Sequence, residues 1–163
     1  MALIKTMTVD EFYNVESATN LHNVVRGLNF QSTEFGKEIL NFNHIPADAD
    51  KLFSTVLGKD VTVDREKSGV FRFPELLIHF EGFDSLKEWL LVVAIDQSTF
   101  NIFEHKSGAL TALDGYQHNY RNLFEWDLMV NHQLKPGQAV FFRPWLFHSF
   151  DSGIVQIFRL IEK

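Results

Sequence analysis

The chain contains no cysteine, so neither a disulfide framework nor a thiolate metal site can form. The apolar run EWLLVVAI at 88–95 falls far short of the roughly 20 residues that a membrane-spanning helix needs. Basic clusters are also missing. The 15 Lys and Arg are scattered and outweighed by 21 Asp and Glu, for a formal net charge of −6, which argues against binding a nucleic-acid backbone by charge. No Gly-x-Ser-x-Gly elbow and no glycine-rich phosphate cradle occurs, so the common nucleophile and nucleotide motifs are lacking. The start, MALIKTMTVDEFY, turns acidic too soon for a secretory leader. These absences together predict a soluble, cytoplasmic protein with no membrane partner and no strong nucleic-acid signal.

What is present is core-forming material. Hydrophobic residues make up 45% of the 163 positions, and 17 are Phe, enough for a domain of this size to bury a core without staples. We expect one domain over 1–163, with a mixed, partly helical flank at 1–60 and a β-rich core at 61–163. In the flank, Thr8 and Glu11 fit a capping box. PADADKLFSTVLGKD at 46–60 reads as a helix with Leu52, Phe53, Val56 and Leu57 on its apolar face and Gly58 at its stop. After residue 60, nine short β-rich runs alternate with breakers such as Ser68-Gly69, Pro136-Gly137 and Ser152-Gly153. Many short strands without long intervening helices predict a sandwich or barrel. The stretch 105–124 reads as a long loop of the kind that serves as a lid.

One strand carries chemistry. In LLIHFEGF at 76–83, His79 and Glu81 are two apart and share a strand face. Two histidines and one carboxylate on one face form a site suited to Fe(II), with further positions open. His148 in KPGQAVFFRPWLFHSF is the candidate third ligand. Eleven residues on, Arg159 interrupts the apolar stripe Val155, Ile157, Ile161. A buried guanidinium needs an anion, either a bidentate carboxylate ligand or an acid across the sheet.

The order His79-Phe80-Glu81, then His148, then Arg159 resembles the 2-oxoglutarate/Fe(II)-dependent oxygenases over residues 69–161. The resemblance implies a double-stranded β-helix, a jelly-roll or cupin-like barrel. It implies Fe(II) on His79, Glu81 and His148, and 2-oxoglutarate as cosubstrate with its distal carboxylate on Arg159. The activity implied is a dioxygenase that hydroxylates a small-molecule or peptide substrate. The chain departs from the pattern in having Glu81 where Asp is commoner, and Ile161 where many members place Ser or Thr. Arg72, Tyr116 and Tyr120 are candidates to supply the missing cosubstrate contact. His118, Tyr120 and Arg121, in HNYR on the long loop, are candidate substrate contacts.

Two other readings compete. A cupin-type metal protein or isomerase would keep the barrel without 2-oxoglutarate. A structural β protein would have no metal and would hold His79, Glu81 and His148 apart. His105, His118 and His132 read as surface histidines, and Trp145 as packing.

Overall fold

The computed structural model describes residues 6–33, 36–40, 42, 49–73, 78–81, 83–109, 111, 123–151 and 153–163. Ten strands, two α-helices and a short 3-10 helix (Leu123–Glu125) lie within them. Strand β1 (Met7–Val9), helix α1 (Val15–Val25), β2 (Gln31–Thr33), β3 (Gly36–Leu40) and α2 (Ala49–Leu57) form the flank. The core strands are β4 (Val61–Arg72), β5 (Glu88–Ala94), β6 (Ser98–His105), β7 (Trp126–Leu134), β8 (Ala139–Phe142), β9 (His148–Asp151) and β10 (Val155–Glu162).

These strands form two sheets with antiparallel pairing throughout. The larger has the order β1-β8-β5-β10-β4-β3-β2, and the smaller β7-β6-β9. The segment at His79 extends the smaller sheet beyond β9 through an antiparallel bridge to His148. Followed along the chain from β4, the path crosses between the sheets in the manner of a double-stranded β-helix.

Strand β5 is buried along its whole length, as its unbroken apolar run predicts. One face, with Leu90 and Val92, meets Phe100, Ile102, Phe142, Phe150 and Ile157 between the sheets. The other, with Trp89, Leu91 and Val93, meets Phe53 and Leu57 of α2, together with Phe141, Phe158 and Leu160. Helix α1 lays Leu21 and Val25 on Val70, Ile95 and Ile154. Both faces of the larger sheet's central strands β5 and β8 are buried, which is why those two strands show no polar alternation.

Several expectations change in detail. Thr8 does not cap a helix, because its backbone pairs with Val140 of β8. The cap is Asn14, whose side chain accepts from Ser17 N at 2.8 Å, and α1 buries Ala18, Leu21 and Val25 at helical spacing. In α2 the buried stripe is Ala49, Phe53 and Leu57, and Leu52 is exposed. Gly58 does end that helix, at φ 72°. The two runs VTVD and GVFRF, expected as separate strands, form the single strand β4. Its register against β10 jumps from Ile157↔Gly69 to Arg159↔Asp64, so a bulge stands where a turn was expected. At Gly137 (φ 90°) a Cβ would lie 2.5 Å from Tyr13 O. Glycine there lets the flank close on the barrel, where Gly137 O accepts from Phe12 N and Tyr13 N at 3.0 and 3.1 Å.

Candidate metal centre and its cavity

His79 and His148 face one another across the bridge. Each backbone N–H donates to the other's carbonyl at 2.8 Å. In such a pair the side chains project to one side as close neighbours, and the two rings lie 4.4 Å apart, centre to centre. Glu81 N donates to Pro144 O at 2.9 Å, which ties the carboxylate-bearing residue to the turn before β9. Glu81 Oε1 then stands 3.2 Å from His79 Nε2 and 3.5 Å from His148 Nε2. One ligand atom from each of the three residues lies within 4.8 Å of the others.

The electrostatics suit a cation at this point. His148 is fully buried, and its Nδ1–H donates to Leu146 O at 2.7 Å. That contact fixes the tautomer and leaves the Nε2 lone pair facing Glu81. Nε2 itself makes no hydrogen bond, an unusual state for a buried polar atom. Burial and the adjacent His79 push the His148 imidazole below its ordinary value, against the pull of Glu81. Burial raises the Glu81 carboxyl, but His148 and then His79 outweigh it and hold that carboxyl below the usual carboxylate range. A neutral imidazole beside a carboxylate is the protonation state a divalent metal requires.

Aromatic side chains surround the group. Phe73 stacks on His79 at 4.8 Å, and Phe142, Phe150 and Phe100 ring His148 at 4.8, 5.3 and 5.9 Å. This collar sets apolar surface around both imidazoles.

A cavity of about 190 Å³ opens beside Glu81 and extends to Arg159. Its charged lining is Glu38, Lys67, Glu81 and Arg159, and its apolar lining is Phe71, Leu90 and Ile157. The β4 bulge places Arg159, since Ser68 Oγ accepts from Arg159 N at 3.0 Å and donates to Asp64 O at 2.7 Å. Arg159 Nη1 also meets Glu88 Oε1 of β5 at 3.1 Å, so an acid across the sheet is present as well. Burial and the charge of Glu81 raise the Glu38 carboxyl. A larger open cleft, about 530 Å³ between α2 and the start of β4, contains none of these groups.

Other expected residues lie elsewhere. His118, Tyr120 and Arg121 fall outside the described residues, as does Tyr116. Arg72 rests over the Phe30 ring at 5.8 Å and is not among the cavity's lining residues. His132 sits within β7 and stacks parallel to Phe100 at 6.4 Å. His105 ends β6, mostly buried against Trp126. Trp145 packs edge-on against Phe83. Three residues were missed in the sequence: Glu38, Lys67 and Glu88. For Glu88 a signal existed, an acid heading an otherwise unbroken apolar run.

No family model matches the chain, and no curated protein sequence matches it. Solved structures do. The structure of HygX from Streptomyces hygroscopicus with nickel, 2-oxoglutarate and hygromycin B bound superposes with a TM-score of 0.61 at 7% identity, covering 98% of this chain and 83% of that one. The non-heme alpha ketoglutarate-dependent epimerase SnoN from nogalamycin biosynthesis gives 0.64 at 9% identity, over 98% and 79%. A 2OG-Fe(II) oxygenase-family oxidoreductase from Burkholderia pseudomallei gives 0.56 at 8%, over 96% and 84%. Across nearly its whole length the chain has the fold of these proteins, the double-stranded β-helix of the 2-oxoglutarate/Fe(II) oxygenases.

Proposed function

We propose that this chain is an Fe(II)- and 2-oxoglutarate-dependent oxygenase acting on a small-molecule substrate. His79, Glu81 and His148 would hold the metal, and Arg159 would receive the distal carboxylate of 2-oxoglutarate. The observation that carries the reading is His148 Nε2, buried without a hydrogen bond and converging with His79 and Glu81. The donor set, two imidazoles and one carboxylate, fits Fe(II) and leaves other coordination positions open. With metal bound, the site would supply O₂ activation coupled to oxidative decarboxylation of 2-oxoglutarate, which oxidises a substrate C–H bond.

The residues divide the remaining work. Leu146 O holds the His148 tautomer. The phenylalanine collar excludes water from the centre. The cavity joining Glu81 to Arg159 gives a dicarboxylate a path from the metal to a cation. The fold neighbours include structures with nickel and 2-oxoglutarate bound, one of them also holding hygromycin B, which supports the same cofactor set and a small-molecule substrate here.

The Arg159–Glu88 contact favours a second reading, a cupin-type metal protein that makes no use of 2-oxoglutarate. Release of CO₂ from carboxyl-labelled 2-oxoglutarate separates the two. Release that needs Fe(II) and O₂ and vanishes in His148→Ala supports the oxygenase. Fe(II) binding without such release supports the second reading.

A further inference from the structure

Glu88 is only 3% exposed, yet its carboxylate is fully engaged. Oε2 accepts from Asp84 N and Ser85 N, and Oε1 meets Arg159 Nη1 at 3.1 Å. The two backbone donors hold the carboxylate in place, independently of Arg159. Across the sheet Glu88 pairs with Ile161, two residues from Arg159, and its carboxylate reaches Arg159, which lines the cavity. A guanidinium carries five donors, and this contact uses Nη1 alone. Arg159 therefore lines the cavity while its charge is already offset from behind. Lys67, the other cation in the lining, is likewise paired, with Asp84 at 3.0 Å.

Resting on the oxygenase reading, we propose that Glu88 is a specificity-determining positioning residue: a built-in counter-ion that aims Arg159 and weakens its hold on the distal carboxylate of the cosubstrate. Without the cosubstrate, Glu88 still sets a counter-charge against the largely buried Arg159 guanidinium. With it, two carboxylates share one cation. Their mutual repulsion at low local dielectric makes the distal carboxylate contribute less than a full charge-assisted bond. The enzyme then gains little from a dicarboxylic over a monocarboxylic 2-oxo acid.

The test compares 2-oxoglutarate with 2-oxopentanoate, which lacks only the distal carboxylate. Both are titrated anaerobically into the Fe(II)-loaded protein, and affinity is read from the visible charge-transfer band. In wild type the dicarboxylate should bind less than about tenfold more tightly, the lower end of what a charged hydrogen bond contributes. In Glu88→Gln the advantage should widen by about tenfold or more, through tighter 2-oxoglutarate binding and unchanged 2-oxopentanoate binding. A merely structural role would weaken both acids together. A wild-type advantage above about tenfold, or an unchanged or narrowed ratio in Glu88→Gln, overturns the proposal. The wild-type ratio decides even if the variant fails to fold. If neither acid gives a band with wild type, the oxygenase reading falls, and this inference with it. If both bind with the wrong ratios, this inference falls alone.

Discussion

Two polar groups border one cavity, one through Glu81 and the other through Arg159, and they differ in how far the chain satisfies them. At one end His79, Glu81 and His148 bring two imidazoles and a carboxylate together, and His148 Nε2 is left without a hydrogen bond. At the other end Arg159 meets Glu88, and Glu88 in turn meets two backbone N–H groups. The first group leaves a buried nitrogen without a hydrogen bond, while the second has its counter-ion built in. Burying a polar atom without a partner is costly, which is why we propose a ligand for this cluster. For the completed pair we propose tuning by its own counter-charge.

Removing His148 should break this contrast most severely. His148→Ala takes away the unpartnered nitrogen, and stoichiometric Fe(II) should be lost on anaerobic gel filtration, read by metal analysis. Retained stoichiometric iron would mean that the donors lie elsewhere. Breaking the completed pair should act on the fold instead. Arg159→Ala leaves Glu88 buried with its two backbone donors but without this counter-ion, and should cost about 3 kcal/mol or more in urea unfolding of the metal-free protein. A cost under about 1 kcal/mol would mean that water already relieves the pair.

Metal should sharpen the distinction. At a hundredfold excess over its dissociation constant, a divalent ion should stabilise wild type by about 2.7 kcal/mol. Glu88→Gln should keep that gain, and His148→Ala should not. A gain in both variants would sever the link between the orphaned nitrogen and the ion.

The smallest effect concerns a neutral buried pair. Tyr13 donates to Gln156 Oε1 at 2.7 Å, and burial pushes its phenol well above its ordinary value, against that hydrogen bond. The folded state therefore keeps the proton longer than the unfolded chain does. This contribution is intact below pH ~10 and lost as pH rises beyond it, by about 1 kcal/mol between pH 10 and 11. Chemical denaturation across that range should show the decline in wild type and a shallower one in Tyr13→Phe. Equal slopes would assign it to other groups.

Much of the site was legible because strand geometry is local. Two-residue spacing puts His79 and Glu81 on one face, and the unbroken run at 88–95 announces a strand buried on both sides. That His148 would lie directly opposite His79 depends on pairing across nearly 70 positions, which spacing alone does not encode. Only the family-like order of residues pointed there. The Arg159–Glu88 pair was harder still. It needs the β10–β5 register, in which Ile161 stands opposite Glu88, and the bulge that seats Arg159 on Ser68. In the flank, pattern reading failed where tertiary pairing took over: Thr8 joined a sheet edge, and Asn14 became the cap.

The central claim is that the incomplete cluster is an iron centre that accepts 2-oxoglutarate. Its most direct test is the anaerobic titration of metal-free wild type with Fe(II) and then 2-oxoglutarate, beside His148→Ala and Arg159→Ala. The account predicts a weak visible charge-transfer band in wild type. That band should be absent in His148→Ala, and in Arg159→Ala it should need more 2-oxoglutarate, by no more than about tenfold. Iron binding with no band on adding 2-oxoglutarate, or a band that survives in His148→Ala, would contradict it.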